Sequence, residues 1–146
     1  MGAVPYEYFV KYQPDIDTAL QDLRQQEFRA GRYNPVIAFP GLITGPKQSP
    51  GARHASIDDA IRASGADGTR SILDLDHVSA KPEFLAVSPV DASQLQQWYG
   101  STKPTRAMIE QNMEFFEDIE RGQGVYVVVY KDGCPDEICF AGYSCD

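Results

Sequence analysis

Metal, redox and imidazole chemistry have little to work with here: the chain holds two histidines, three cysteines and one tryptophan. Cys134, Cys139 and Cys145 follow a C-x4-C-x5-C spacing with no histidine nearby. That is not a zinc-ribbon pattern. On a strand, Cys139 and Cys145 would lie roughly 20 Å apart, too far for one metal ion. Three thiols without an export signal point to reduced cysteines, small apolar residues of a strand. Cys134, in "DGCPD", sits in a turn, but both histidines are distant in sequence from it. Nothing local would lower its thiol pKa for nucleophilic work. There is no Gly-x-Ser-x-Gly, His-Glu-x-x-His, Cys-x-x-Cys or Gly-x-Gly-x-x-Gly. "GPKQSPG" (45–51) lacks the spacing and the Lys-Ser/Thr ending of a phosphate loop.

Long apolar runs are missing too, and none approaches the roughly 20 residues of a membrane-spanning helix. The start, "MGAVPYEYF", has no basic region ahead of an apolar core, so it does not read as a signal peptide. Tyr6 stands where a myristoylation motif needs Ser or Thr. These absences lead to the expectation of a cytoplasmic protein. Positive charge is scarce as well: 13 basic against 21 acidic residues, a formal net charge of −8. That argues against nucleic acid as a partner, because phosphate backbones need a basic face, and against docking on an anionic membrane.

What is present is the composition of an ordinary soluble domain: 42% hydrophobic, 23% charged and 11% aromatic over 146 residues. A chain of this length buries enough surface to be stable without metal or disulfide, and residues 1–146 read as one globular domain. "YEYFVKY" (6–12) alternates as a strand. After Pro14 and Asp15, Ile16, Leu20 and Leu23 recur at helical spacing until Gly31. "VIAF" (36–39) reads as a short strand and residues 40–54, rich in Pro and Gly, as a long loop. Ser56 opens a second helix that Gly65 ends. "RSILDLDHVS" (70–79) and "EFLAVSP" (83–89) read as strands, and Asp91 caps a helix ending at Gly100. Residues 102–122 carry the strongest helical pattern, with Met108, Ile109, Asn112, Met113, Phe116 and Ile119 on one face. The close is two β-rich runs about Asp132-Gly133, a hairpin whose loop is expected to extend past two residues because Pro135 follows. The poor alternation around Val127 and Val129 marks the first of them as a central strand. The order β-α-β-α-β-β-α-α-β-β predicts an α+β fold: a mixed, mainly antiparallel sheet of about five to six strands, three to four helices and a C-terminal hairpin.

The chemistry candidates fall in three groups. In the strand reading of "RSILDLDH", Asp74 and Asp76 share one face about 7 Å apart, with His77 on the other. Such a carboxylate pair serves as acid and base if burial separates its pKa values, so Asp74 and Asp76, with His54, are the catalytic candidates. A metal would need ligands from elsewhere, and none is expected. The second group is basic. Arg29, Arg32, Tyr33 and Asn34 gather where a helix ends, and Arg70 lies in "GTRS". Arg53 and His54 precede the Ser56 helix start, where backbone amides favour an anion. Arg29, Arg32, Tyr33 and Arg70 are therefore the ligand-binding candidates, although a helix C-terminus attracts arginines for dipole reasons alone. "GRYNP" (31–35) resembles the Gly-Arg-Trp-Asn-Pro-like segment of the RES-domain toxins, NAD-degrading proteins whose fold is similar to ADP-ribosyltransferases. The resemblance covers five residues, with Tyr33 where an indole is usual, and it implies NAD as the ligand. The third group is acidic. Glu114, Glu117, Asp118 and Glu120 crowd the last helical segment, and with Trp98 and Tyr99 they would face a basic partner.

Two functions follow. The first expectation is a small acidic binding protein, inhibitor-, antitoxin- or immunity-like, touching a basic protein through Trp98, Tyr99, Glu117 and Asp118. The alternative is an enzyme or sensor for a small anionic ligand such as a nucleotide or NAD. It would gather Arg29, Arg32, Tyr33, His54 and Arg70 over Asp74 and Asp76. No cofactor is expected, and the sequence does not set the oligomeric state.

Overall fold

A computed structural model describes residues 3–36 and 51–146. Most of the strand expected at 36–39, and most of the loop at 40–54, lie outside the described residues. The strands are β1 (Pro5–Lys11), β2 (His77–Val78), β3 (Ala86–Pro89), β4 (Gly124–Lys131) and β5 (Cys134–Tyr143). The helices are α1 (Ile16–Ala30), α2 (Ile57–Ser64), α3 (Ala92–Tyr99) and α4 (Arg106–Gln111). The fold is the α+β class expected, with one five-stranded sheet ordered β1-β5-β4-β3-β2. Its two long ladders, β1–β5 and β5–β4, are antiparallel, while the short β4–β3 and β3–β2 pairings are parallel. The first and last strands are thus neighbours. β4 lies between β5 and β3, the central position its sequence pattern predicts.

The period of two along each strand divides the molecule into layers. Tyr6, Tyr8, Val10 and Tyr12, with Tyr126, Ile138 and Phe140, face α1, α2 and the Ile72–Leu75 segment. Phe9, Val125, Val127, Val129, Cys139 and Ala141 face the other way, against Leu95, Trp98, Ile109, Phe115 and Ile119. Two cores therefore share one sheet. α1 starts at Asp15, whose side chain accepts from the backbone N–H of Asp17 and Thr18, and it ends at Gly31 in the left-handed region. Ser56 caps α2 by accepting from the Asp59 N–H, as its spacing predicts.

Four expectations are corrected. Residues 70–79 are not one strand. Ser71 accepts from the Leu73 N–H and winds Ile72–Asp74 into a 3-10 turn, leaving the two-residue β2. Ile72, Leu73 and Leu75 are all fully buried, so their spacing is that of a turn pressed into the core. The long helix at 102–122 is broken. The Tyr99 hydroxyl donates to the Asn112 carbonyl, and the Asn112 amide donates to the Trp98 carbonyl. Asn112 turns extended, and a 3-10 turn, Glu114–Asp118, follows. The hairpin turn is two residues long, with Lys131 opposite Cys134 and both Asp132 (φ 53) and Gly133 (φ 78) left-handed. Pro135 is accommodated by a register shift at Val129/Tyr130, where the Tyr130 N–H donates to the Pro104 carbonyl instead. Asp91 begins α3 without a side-chain cap bond, and the Gln94 amide donates to Asp118.

Candidate functional site

Residues 31–36 knit three segments together. Gly31 carries φ 72, and a Cβ there would overlap the Gly51 carbonyl, so glycine is required both for the left-handed turn and for the close approach of residue 51. The Gly51 N–H donates to the Ala30 carbonyl at 3.3 Å. Tyr33 is buried, stacks on Phe28 with centroids 5.8 Å apart, and has its hydroxyl 2.8 Å from His54 Nδ1. The Asn34 N–H donates to the Thr69 carbonyl at 2.9 Å, and its side-chain amide to the Gly68 carbonyl at 3.4 Å. The Asn34–Pro35 bond is cis. One short segment thus brings residues 51–54 and the Gly68–Arg70 loop to the end of α1.

Arg32 grips Glu27 with its Nε at 2.9 Å and its Nη2 also in contact, and Glu27 is buried. The Glu27 hydrogen bond raises the Arg32 pKa. The remaining nitrogen, Nη1, is buried and has no partner. Arg70, in the left-handed region at φ 53, is paired with Asp146, and its Nε is likewise buried without a partner. Asp146 also accepts from the Ser144 hydroxyl at 2.6 Å, and Ser144 Oγ accepts from the Val4 N–H at 2.7 Å.

Asp74 lies inside this frame, 5% exposed. Its Oδ1 accepts from both the N–H and the hydroxyl of Thr69, each at 2.8 Å. Its Oδ2 is buried without a partner, under Gly68, where a Cβ would come within 2.7 Å of it. Burial raises the Asp74 pKa against the opposing pull of the Thr69 hydrogen bonds. Burial, then the charge of Asp74, holds the Tyr6 phenol well above its ordinary value, and the Tyr6 hydroxyl is another buried group without a partner. Tyr8, whose hydroxyl accepts from the Ile72 N–H at 3.5 Å, feels Glu27, Arg32 and Asp74 together.

The expected residues therefore divide. The segments of Arg32–Tyr33, His54 and Arg70 meet at the end of α1 through the Tyr33–His54 and Asn34–Thr69 bonds, and Asp74 is tied to the same place through Thr69. Asp76 does not join them. It is exposed, contacts His77 Nδ1, and its carbonyl accepts from Gln21, eleven positions before Arg32 and so roughly 16 Å away along the helix axis. The shared Asp74/Asp76 face and the separation of Asp76 from His77 were consequences of the strand reading and fall with it. His77 is held between Asp76 and Glu83, and the Asp76 hydrogen bond raises its pKa. Arg29 is exposed on α1, and it lines a shallow depression together with Asp22, Gln25, Gln26 and Arg32. Trp98 packs on Phe115 and Tyr99 is tied to Asn112, so both serve the second core, whereas Glu117 and Asp118 are exposed.

Glu27, Thr69, Tyr6, Tyr8 and Asp146 are site residues that the sequence reading did not single out. For Glu27 the signal was there. Residues 20, 23, 24, 27 and 28 follow the i, i+3, i+4, i+7, i+8 stripe of a buried helix face, and all five are buried. Arg24 is on the same stripe and donates to the Leu73 carbonyl at 2.8 Å. Among the described residues no group of three or more His, Cys, Asp or Glu side chains is assembled for a metal.

Chemically, the Tyr33 hydroxyl and His54 Nδ1 share one hydrogen bond, and the imidazole tautomer decides which of them donates. Burial raises the Tyr33 pKa, so the phenol keeps its proton. No family model, curated protein or solved structure matches this chain. The likeness of Gly31–Pro35 to the RES-domain toxins accordingly stays at five residues.

Proposed function

We propose that the chain binds a small anionic ligand of the nucleotide or NAD kind at the end of α1, as a sensor or enzyme. The observation that carries this reading is that the segments bearing Arg32, His54 and Arg70 are bonded together at the end of α1, with Arg32 Nη1 and Arg70 Nε buried and lacking partners. Buried polar atoms without partners are rare, and a catalytic or binding role is one reason a protein keeps them. Charge distribution supports it too. Four of the eight arginines, Arg29, Arg32, Arg53 and Arg70, belong to this end of α1 or to the two loops tied to it, in a chain of net charge −8. Arg53 is exposed, and among the described residues it has no ion-pair partner within reach.

The test is a thermal-shift series with inorganic phosphate, nucleotides and NAD on the wild type and on Arg53→Glu. A ligand at a hundred times its dissociation constant adds about 2.7 kcal/mol of stability. The expected result is a clear rise in Tm for an anionic ligand, lost in Arg53→Glu while the unliganded Tm stays put. A flat response throughout, joined to salt-sensitive association with a basic protein, would instead favour an acidic interaction module. The observation behind that second reading is the run of exposed carboxylates Glu114, Glu117, Asp118 and Glu120 on one short segment.

A further inference from the structure

β1 is an edge strand, and the parity of its hydrogen bonds says which groups it leaves outside. The Ser144 N–H donates to the Val4 carbonyl at 2.9 Å, and the Tyr12 N–H to the Asp136 carbonyl at 3.0 Å. The register between them runs unbroken from Pro5↔Tyr143 to Lys11↔Glu137. In an antiparallel ladder the direction of the backbone groups alternates. The even-numbered residues 4 to 12 therefore bond to β5, and the odd-numbered ones, Pro5, Glu7, Phe9 and Lys11, point their backbone groups outward. Among the described residues no backbone group bonds to that outer edge. Pro5, which has no N–H to satisfy, stands at the end of it, where an edge strand tolerates proline. The edge is seven residues long with no bulge in its pairing to β5, and Tyr6, Tyr8, Phe9 and Val10 are only half-buried. An edge of this kind is a template for another strand.

We infer that the partner is a second copy of this chain, its β1 pairing antiparallel with β1 across a two-fold axis at Phe9. The choice of occupant and register rests on charge. With Phe9 opposite Phe9 of the copy, each Glu7 lies directly opposite a Lys11, on the same face of the sheet. Opposite charges at such positions attract and like charges repel. Centring the axis on Glu7 or on Lys11 would set like charges against each other. The chosen register keeps the outward N–H and carbonyl groups of residues 7, 9 and 11 in bonded pairs. On the other face it sets Tyr8 against Val10 and Tyr6 against Tyr12, pairs of the aromatic and β-branched kind that stabilise sheets. The surface is self-complementary, as a two-fold interface requires, and the two five-stranded sheets become one of ten strands.

Sedimentation equilibrium of the full chain across the micromolar range tests this, with Glu7→Lys and Lys11→Glu made singly and together. The wild type is expected to be dimeric. Each single change turns two attractive pairs into two repulsive ones and should weaken the dimer about tenfold. The double change restores both pairs and the wild-type affinity. Mixing the two single variants should give a heterodimer in preference to either homodimer, because every cross-strand pair is then of opposite sign. The mixed sample also controls for folding, since neither variant can form the heterodimer unless it is folded. A wild type that stays monomeric, a dimer indifferent to the single changes, or a mixture with no preference would each overturn the inference.

Discussion

Ionisation of Asp74 opposes folding. Burial raises its carboxyl pKa above the model-compound value of 3.8. As pH rises past that value the unfolded chain releases this proton first, so the folded state holds more protons and loses stability. The loss is complete once pH passes the folded pKa. Asp74→Asn keeps an oxygen for both Thr69 donors and removes the charge. Its stability relative to wild type should therefore grow as pH rises from about 4 and then level off, measured as urea midpoints between pH 4 and 8. Asp74→Ala leaves the Thr69 N–H and hydroxyl unsatisfied in a buried place and should cost about 1–3 kcal/mol. This residue was visible in the sequence for the wrong reason. Alternating Leu and Asp in "LDLD" looks like a strand with one wet face, and that pattern holds no record of the Ser71 hydroxyl taking the Leu73 N–H and turning the chain inward. Glu27 and Arg24 were legible by spacing, yet charged residues on a helix are ordinarily read onto its solvent side.

At the scale of elements, two glycines separate backbone preference from crowding. Gly31 and Gly133 have nearly the same φ, 72 and 78. A Cβ at Gly133 would meet nothing within 4 Å, whereas one at Gly31 would run into the Gly51 backbone. Gly133→Ala should cost only the left-handed penalty, roughly 1–2 kcal/mol. Gly31→Ala should cost clearly more, because the Gly51 segment must also move. Chemical denaturation of the two variants side by side gives the difference. Helix starts were readable where a side chain accepts from the next turn, as at Asp15 and Ser56. The end of α4 was not, because its cause is tertiary. A helix continuing past Asn112 would give that carbonyl to Phe116, but Tyr99 claims it, and the Phe116 N–H bonds to Met113. Nothing in residues 102–122 alone announces a competitor thirteen positions earlier.

For the molecule as a whole, the α+β class was legible because element order and the period of each run survive local errors. Cutting one helix short and shrinking one strand to two residues changes neither the sheet nor its two cores. What the order of elements did not contain is the adjacency of the site. Arg32, His54 and Arg70 are joined through the turn at residues 31–36, by one phenol and one backbone amide. Such bonds are set by the packing of segments far apart in sequence. The same sheet also organises the two proposals spatially. The proposed ligand site lies on the α1 side, and the edge proposed to self-pair is the strand whose inner face carries Tyr6 and Tyr8 close to Asp74.

The clasp between Val4 and Ser144 makes the numbering of this fold arbitrary. The two residues exchange bonds, N–H to Oγ at 2.7 Å and N–H to carbonyl at 2.9 Å, so the first and last strands leave the sheet side by side. A few glycines would close the chain into a ring without moving either strand. The exposed stretch 80–84 then offers a place to reopen it, between Lys81 and Pro82. Such a circular permutant should keep the far-UV circular dichroism of the parent and melt within a few degrees of it, with β3 as its first strand and β2 as its last.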